Sequence, residues 1–359
     1  MYKSVSIQNF RCYDSINIDK LKRINLFVGK NNVGKTTLLE AVYLLCARNN
    51  PDQSTIVNLI RGLEVDFQNL NSNMNPPWDY NFNNQKNVKE IVIEGEHANN
   101  GFQKVTIRSF LKSQSIFDQL GKDSSSLSAD PNMTVLGYKT KVLEYEIQNG
   151  DKKQLLHVSL SIKGVMKDYD VVKTEEKAYF RAPHSKIDQK ILAARLEPFL
   201  KNGQESLINV LRIIDQNINR IFITYENESP MVYCGLEDNT SIPLVFMGDG
   251  ISSLIGIFTE IFHIKNGVYF IDEIENGFHY SAMEKIWLAI EKMAEESNVQ
   301  IFATTHSREC VIAAFDAIKS SNYNDFYLHR LERVKGDIKC FTYDLETLES
   351  AIDLNLEVR

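Results

Sequence analysis

Polar and apolar residues alternate through Val5-Ser6-Ile7 and again from Ser15 to Ile18, whereas Ile24-Asn25-Leu26-Phe27-Val28 is mostly apolar up to Gly29. A period of two predicts half-buried strands, and an unbroken apolar run predicts a buried one. From about Lys35 through Cys46 the period changes, with Leu38, Leu39, Val42 and Leu45 on one face, which predicts a helix. Residues 1–48 therefore predict strand, turn, strand, loop, helix: the opening of an α/β core.

Between Pro51 and Asn87 the chain turns polar and Asn-rich, with Pro76-Pro77 and no sustained period, so a partly helical insertion and a surface loop are expected. Residues 88–165 hold alternating runs such as Glu90 to Glu94, Val105 to Ile107, Val142 to Ile147 and His157 to Ile162, separated by Asn-Gly, Gly-Asp and Ser-rich turns. They predict an antiparallel β subdomain, with Gly121 to Asn132 as a mobile loop inside it. Helical spacing returns over 186–221, through Ile191, Leu192, Leu196, Leu207, Val210, Leu211, Ile214 and Ile218.

The last third alternates again: a helix from about Gly250, a strand Gly267 to Ile271, a helix Tyr280 to Glu296, a strand Gln300 to Thr304, a helix over 307–319, then a terminal strand or two. Strands alternating with helices of this length predict a parallel sheet covered on both faces. No internal repeat is apparent.

Composition narrows the class without changing the picture. The 359 residues are enough for one large domain or a core with an insertion, and 43% hydrophobic with 24% charged residues excludes a disordered or collagen-like chain. A net charge of −7 disfavours unselective coating of phosphate backbones, while a local basic groove stays compatible with it. Cys12, Cys46, Cys234, Cys310 and Cys340 are scattered and odd in number, so neither a disulfide framework nor a zinc site is indicated and buried reduced thiols in a cytoplasm are expected. The N-terminus alternates like a strand instead of carrying a signal peptide. The most apolar stretch, Leu254 to Phe262, is short and contains Glu260, so no membrane span is expected.

The chemistry concentrates in Gly29-Lys30-Asn31-Asn32-Val33-Gly34-Lys35-Thr36, which fits G-x-x-x-x-G-K-[ST] between an apolar strand and a helix start, with Thr37 following. Two glycines let successive N–H groups and the helix N-terminus point at a β-phosphate; Lys35 neutralises β/γ oxygens and the Thr36 hydroxyl suits Mg²⁺. The alternative is a Gly-rich turn arising by chance.

Downstream, Val268-Tyr269-Phe270-Ile271-Asp272-Glu273 is an apolar strand ending in two acids. Asp272 fits the water shell of Mg²⁺ and Glu273 fits a base that orients and deprotonates an attacking water; solvated surface charges or a helix cap are the alternatives. The strand Gln300 to Thr304 then delivers His306, placed to hydrogen-bond a γ-phosphate, or else to cap a helix. Met247-Gly248-Asp249-Gly250 is a Gly-rich turn opening an apolar helix. Its N–H groups suit an anion, and since the first loop already cradles its own phosphate, the economical role is to meet the γ-phosphate held by a second subunit; a simple helix-entry turn is the alternative. Arg11 is a candidate for reaching the nucleotide, or a surface arginine; His279 is a candidate for the subunit interface, or a structural histidine.

In their chain order, phosphate loop, Met-Gly-Asp-Gly, Ile-Asp-Glu and Thr-Thr-His, these four motifs resemble the ABC-type ATPases of the SMC, RecF and OLD-nuclease branch, and in particular the stand-alone AAA-type ATP/GTPase group. IPLVFMGDGISSLIGI, GVYFIDEIENGFHY, VQIFATTHSREC and the closing NLEVR carry the resemblance, over roughly residues 1–48 and 180–359. It implies an α/β fold: an ABC-type P-loop NTPase head with a parallel-sheet core, an antiparallel β subdomain and a helical insertion, the core split as 1–48 and 180–359 and the insertion as 49–179. It also implies a head-to-head homodimer around two ATP molecules, with Gly248, Asp249 and Gly250 of one subunit closing over nucleotide held at Lys35 of the other. Thr36 and Asp272 become magnesium residues, Glu273 the catalytic base and His306 the γ-phosphate sensor.

The chain departs from that pattern in places. The Ser-Gly-Gly-Gln signature of transporter-type and RecF-like relatives is missing, a glutamine loop cannot be placed, and no long heptad coiled coil interrupts the motifs. About fifty residues follow His306, fewer than a fused nuclease domain needs. The resemblance therefore implies an ATPase switch for a separately encoded effector in an antiphage module, for instance a nuclease of the topoisomerase-primase fold, in a dimer or larger homo-oligomer. The second expectation is a RecF-like DNA-binding repair factor, for which Lys139, Lys141, Lys152, Lys153, Lys163 and Lys167 supply a basic tendency. A nuclease activity of the chain itself finds no metal-ligand spacing outside the ATP motifs.

Overall fold

The computed structural model describes residues 1–66, 75–83, 89–114, 138–161, 164–169, 177–183, 188–202, 204–354 and 356–358. The expected loop Gly121 to Asn132 lies outside them. The chain divides into two compact units, one of Met1–Ser4, Ile18–Leu39 and Glu175–Arg359, the other of Val5–Asn17 and Glu40–Thr174.

In the first unit the strands are β3 (Ile24–Val28), β9 (Ala178–Arg181), β13 (Val268–Ile271), β14 (Gln300–Thr304), β15 (Phe326–Val334) and β16 (Asp337–Tyr343), in the sheet order β16-β15-β3-β14-β13-β9. All neighbours pair in parallel except the closing β15–β16 hairpin. Every residue of β3, β13 and β14 is buried, which is why their sequences are mostly apolar runs. Phe180, Phe270, Phe302, Phe27 and His329 form a row of stacked rings across β9, β13, β14, β3 and β15, with centroids 4.7 to 6.2 Å apart. Burial lowers the His329 pKa to about 3, so the ring is neutral, and its nitrogens meet Thr342 Oγ1 at 3.1 Å and Asn25 Oδ1 at 3.3 Å.

The helices of this unit are α3 (Gln189–Asn202), α4 (Gln204–Leu211), α5 (Asp249–His263), α6 (Met283–Glu296), α7 (Arg308–Ser320) and α8 (Leu345–Asp353). Helix α5 buries Ile251, Leu254, Ile255, Ile257, Phe258 and Ile261, each contributing about 1.5–3 kcal/mol of transfer free energy. Among these apolar residues sits one buried carboxylate, Glu260, 2% exposed. Arg181 donates to it at 3.0 Å and the Tyr269 hydroxyl at 2.6 Å, and Arg195 lies 3.4 Å away. A second, three-stranded sheet consists of β10 (Ile218–Glu226), β11 (Ser229–Leu236) and β12 (Ser241–Pro243), antiparallel throughout.

The second unit is dominated by a seven-stranded sheet in the order β2-β1-β4-β5-β6-β7-β8: β1 (Tyr2–Phe10), β2 (Tyr13–Ile18), β4 (Glu90–His97), β5 (Gly101–Gln114), β6 (Tyr138–Asn149), β7 (Lys152–Ser161) and β8 (Gly164–Asp168). The run from β4 to β8 is an antiparallel meander, as the alternation predicts. Helix α2 (Gln53–Ile60) packs on a 3₁₀ turn at Pro77–Asn81, where Asn58 donates to the Pro77 carbonyl and to Asn81. Helix α1 (Lys35–Cys46) has the predicted bounds.

Five expectations need correction. Strands β1 and β2, assigned to the core 1–48, complete the antiparallel sheet, because β1 pairs with β4 across the expected boundary at 49–179. The helical reading to residue 221 stops at Leu211: Asp215 Oδ1 accepts the Asn217 N–H at 3.0 Å and turns the chain into β10, which begins at Ile218. Tyr280–Ala282 is a 3₁₀ turn preceding α6. Helix α8 was not expected, although Asp344 caps it by accepting the Thr347 N–H at 2.9 Å and Leu348 and Ala351 are buried. Cys12 is exposed and Cys340 half-buried, whereas Cys46, Cys234 and Cys310 are buried as expected. Among the described residues no helix is long and apolar enough to cross a membrane.

Candidate functional site

The loop after β3 is shaped by its glycines. Gly29 has φ +147°, and a Cβ there would stand 2.5 Å from the Leu331 carbonyl oxygen and 2.9 Å from Val33 Cγ1. No other residue fits so close an approach. Asn32 and Gly34 also take positive φ (62° and 98°), so the backbone curls over residues 29–34 before α1 starts at Lys35. Lys30, Asn31 and Asn32 are exposed and Val33 is buried; Thr37 points inward. A curled loop of consecutive peptides at a helix N-terminus is an anion cradle. Lys35 Nζ lies across it and donates to the carbonyls of Gly29 (2.7 Å) and Lys30 (3.2 Å). Burial lowers the Lys35 pKa, against the raising influence of Asp272, Glu273 and Glu275.

Beside the loop, at the carboxyl ends of β13 and β14, the acidic residues are arranged through one threonine. The Thr36 hydroxyl donates to Asp272 Oδ2 at 2.7 Å. The Thr304 hydroxyl donates to Asp272 Oδ1, and the Glu273 N–H donates to Thr304 Oγ1 at 2.8 Å. Glu273 itself has φ 51°, a left-handed conformation uncommon for a residue with a long side chain. Such backbone costs on the order of 1–3 kcal/mol and persists where surrounding bonds fix it. Here the fixing bonds are the one to Thr304 and the Asn276 amide, which donates to Glu273 Oε2 at 2.8 Å.

His306 closes the arrangement. Its backbone N–H donates to Glu275 Oε1 at 3.1 Å, and its Nδ1 stands 3.3 Å from Glu275 Oε1 and 3.8 Å from Glu273 Oε1. Lys35, Thr36, Asp272, Glu273 and His306 are thus brought together by β3, β13 and β14. The sequence pattern alone assigns no role to three contributors, Thr304, Glu275 and Asn276. Thr304 lies inside the Thr-Thr-His run that pointed to His306, and Glu275 and Asn276 directly follow the acidic pair, so position was the available signal.

The remaining expected residues lie elsewhere. Gly248 precedes α5 and is exposed, as is Asp249; Met247 is half-buried against the core. Gly250 is packed so closely on the Gly277 carbonyl that a Cβ would approach it to 2.8 Å, which joins this turn to the segment following the acidic pair. His279 is exposed and accepts from the Ser281 N–H, so its visible role is to cap the 3₁₀ turn. Arg11 belongs to the second unit. Its guanidinium is turned to Glu40 (3.3 Å) and Asn58 (2.9 Å) and burial lowers its pKa to about 10, so the donors expected at a nucleotide serve a structural network.

The donor set suits a hard cation. A threonine hydroxyl and a carboxylate already within hydrogen-bonding distance are oxygen ligands of the kind that hold Mg²⁺ by one or two protein groups, with waters and phosphate oxygens completing the shell.

A family model described as "AAA domain, putative AbiEii toxin, Type IV TA system" matches residues 24–311. The chain is 23% identical over 357 residues to an ATP/GTP phosphatase of Helicobacter pylori (strain ATCC 700392 / 26695), covering 90% of each chain. It is 20% identical over 361 residues to a DNA replication and repair protein RecF of Streptococcus thermophilus (strain ATCC BAA-250 / LMG 18311), covering 94% of this chain and 90% of that one. Among solved structures, a Smc head bound to the C-winged helix domain of ScpA has a TM-score of 0.54 at 10% identity, covering 97% of this chain and 99% of that chain. The fold is that of an SMC head.

Proposed function

We propose that this chain, which belongs to the AAA-domain family whose model spans residues 24–311, binds and hydrolyses ATP as a molecular switch. The carrying observation is the convergence of Lys35, Thr36, Asp272, Glu273 and His306 at neighbouring strand ends, tied together through Thr304. The loop 29–34 and the N-terminus of α1 bind the phosphates, and Lys35 balances their charge. Thr36 and Asp272 would hold Mg²⁺, which would supply charge neutralisation on the phosphate oxygens. Glu273 orients and deprotonates the attacking water, and His306 senses the γ-phosphate.

The exposed turn Gly248-Asp249 supports a two-subunit arrangement, in which residues 247–250 of one copy meet the triphosphate held by the other. Nucleotide then favours a closed homodimer and hydrolysis reopens it, shifting affinity for a separately encoded effector. The family description, which names a putative toxin of a Type IV TA system, fits a place beside a separately encoded partner. A RecF-like grip on DNA is the second reading, supported by the RecF relatives. Against it, Lys153 and Lys167 of the β meander are paired with Glu146 and Asp52, which leaves less free positive charge for phosphates.

The test is mass by light scattering, with and without ATP and Mg²⁺. The wild-type chain and Glu273→Gln are expected to double in mass with ATP, and Lys35→Ala is not. Equal behaviour of the two variants at saturating ATP would sink the reading. Retention on duplex DNA that needs ATP and falls steeply with salt would favour the second reading instead.

A further inference from the structure

Away from the phosphate loop, a cavity of about 630 Å³ opens between α3 and β10. Its floor is a sheet edge. Among the described residues strand β10 is hydrogen-bonded to no strand but β11, so its other side presents backbone groups without a strand partner there. The antiparallel register shows which groups these are. Ile221, Ile223 and Tyr225 stand opposite Cys234, Val232 and Pro230.

Proline has no N–H to give, the Val232 N–H goes to Gln189 Oε1, and the Ile221 carbonyl accepts from Gln204 Nε2 at 3.0 Å. These are therefore the non-hydrogen-bonded pairs, and Ile221, Ile223 and Tyr225 direct their N–H and C=O groups outward. All three residues line the cavity, as does Gln204, whose amide occupies the first place along the edge as a strand's peptide would.

The walls carry more positive than negative charge. Lys190 and Lys201 come from α3 and Arg220 from β10. The cavity's carboxylate, Glu197, is already paired with Lys201 at 3.0 Å. Arg220 lies over the Phe222 ring at 5.0 Å and donates to Ser241, and among the described residues neither it nor Lys190 is paired with a carboxylate. On a chain of net charge −7 this is a local excess of cations. Tyr225, 70% exposed, stands at the mouth.

We propose that this groove docks an extended acidic peptide segment of a partner protein, which adds as a strand to β10 along Ile223 and Tyr225 and sets its carboxylates against Lys190 and Arg220. Main-chain bonding to a sheet edge gives affinity in such complexes, and flanking side chains give selectivity. Nucleic acid fits less well, because its backbone carries no donors or acceptors in the peptide register. The inference rests on the switch reading only in requiring a separate partner, and it does not depend on ATP hydrolysis.

The experiment uses the full chain and fluorescein-labelled peptides of about twelve residues, followed by fluorescence anisotropy. An alternating Glu-Val peptide is expected to bind saturably, and a Lys-Val peptide of equal length is not. The double change Lys190→Glu, Arg220→Glu should weaken binding at least about tenfold.

Ile223→Pro removes one outward N–H while leaving the bonds to β11 intact, and should weaken binding similarly. Should that variant fail to fold, a Glu-Val peptide N-methylated on alternate residues asks the same question of the wild-type chain. Lys35→Ala is expected to bind the peptide normally, so loss of the switch reading would leave this one standing. No binding of the Glu-Val peptide, equal binding of the N-methylated one, or displacement by a single-stranded oligonucleotide at equal concentration would overturn the proposal.

Discussion

The backbone N–H of Glu273 donates to the side-chain oxygen of Thr304 at 2.8 Å, across the parallel pair β13–β14. The same oxygen donates its proton to Asp272, so one hydroxyl holds both acids of the candidate site. Replacing Thr304 by Val keeps its size and removes both bonds. The expected result is a fall in the ATP turnover rate of about 10- to 100-fold, the usual cost of losing a group that orients a ligand, with KM for ATP changed much less. Thr304→Ser should restore most of the rate. Steady-state kinetics of the two variants provide the check.

Gly29 and Gly336 both have positive φ, but only Gly29 is crowded. Gly29→Ala is expected to cost about 1–3 kcal/mol through overpacking and to abolish nucleotide binding by pushing the loop off the Leu331 carbonyl. Gly336→Ala, with nothing within 4 Å of the added methyl, should cost about 1 kcal/mol and leave binding intact. Thermal melts with and without nucleotide separate the two.

Buried His329 makes stability acid-sensitive. Its folded pKa of about 3 lies below the ordinary histidine value near 6.5. Between these values the unfolded chain binds the extra proton. The contribution is therefore complete above the unfolded pKa and is lost as pH falls from there toward 3, by about 1.4 kcal/mol per unit. His329→Gln is expected to flatten that slope relative to wild type, measured by urea unfolding at pH 7 and pH 5.

Glu260 is the buried anion that compensates Arg181. Glu260→Gln keeps its shape and removes its charge, and should destabilise by about 3–5 kcal/mol. The pair Glu260→Leu with Arg181→Met should recover much of the loss, since neither charge is then left alone. Denaturant midpoints of the three proteins decide it; a single variant as stable as wild type would show that the ion pair contributes nothing.

Much of this site was legible because strand ends and loop chemistry are local. Gly29 to Thr36 and Asp272-Glu273 lie directly after runs whose burial demands strands, and α1 and β14 have the predicted bounds. What remained hidden was non-local or two-faced. The partnership of β1 with β4 depends on residues some eighty positions apart. Ile218 satisfies a helical spacing and a strand pattern equally, and only the Asp215–Asn217 turn breaks the tie. Arg11 follows a strand as a ligand residue would, but Glu40 and Asn58, remote in sequence, claim its guanidinium. Thr304 was visible as a letter, while its role as acceptor and donor needed the neighbouring strand.

The carboxylate of Glu260 has a mechanical consequence. Helix α3, which walls the basic groove, sends Arg195 to it, and the edge strand β9 sends Arg181. Helix α5 carries it three turns from the exposed Gly248-Asp249 corner. Displacing either of the first two elements would pull an arginine away from a carboxylate that is 2% exposed, where misalignment is expensive.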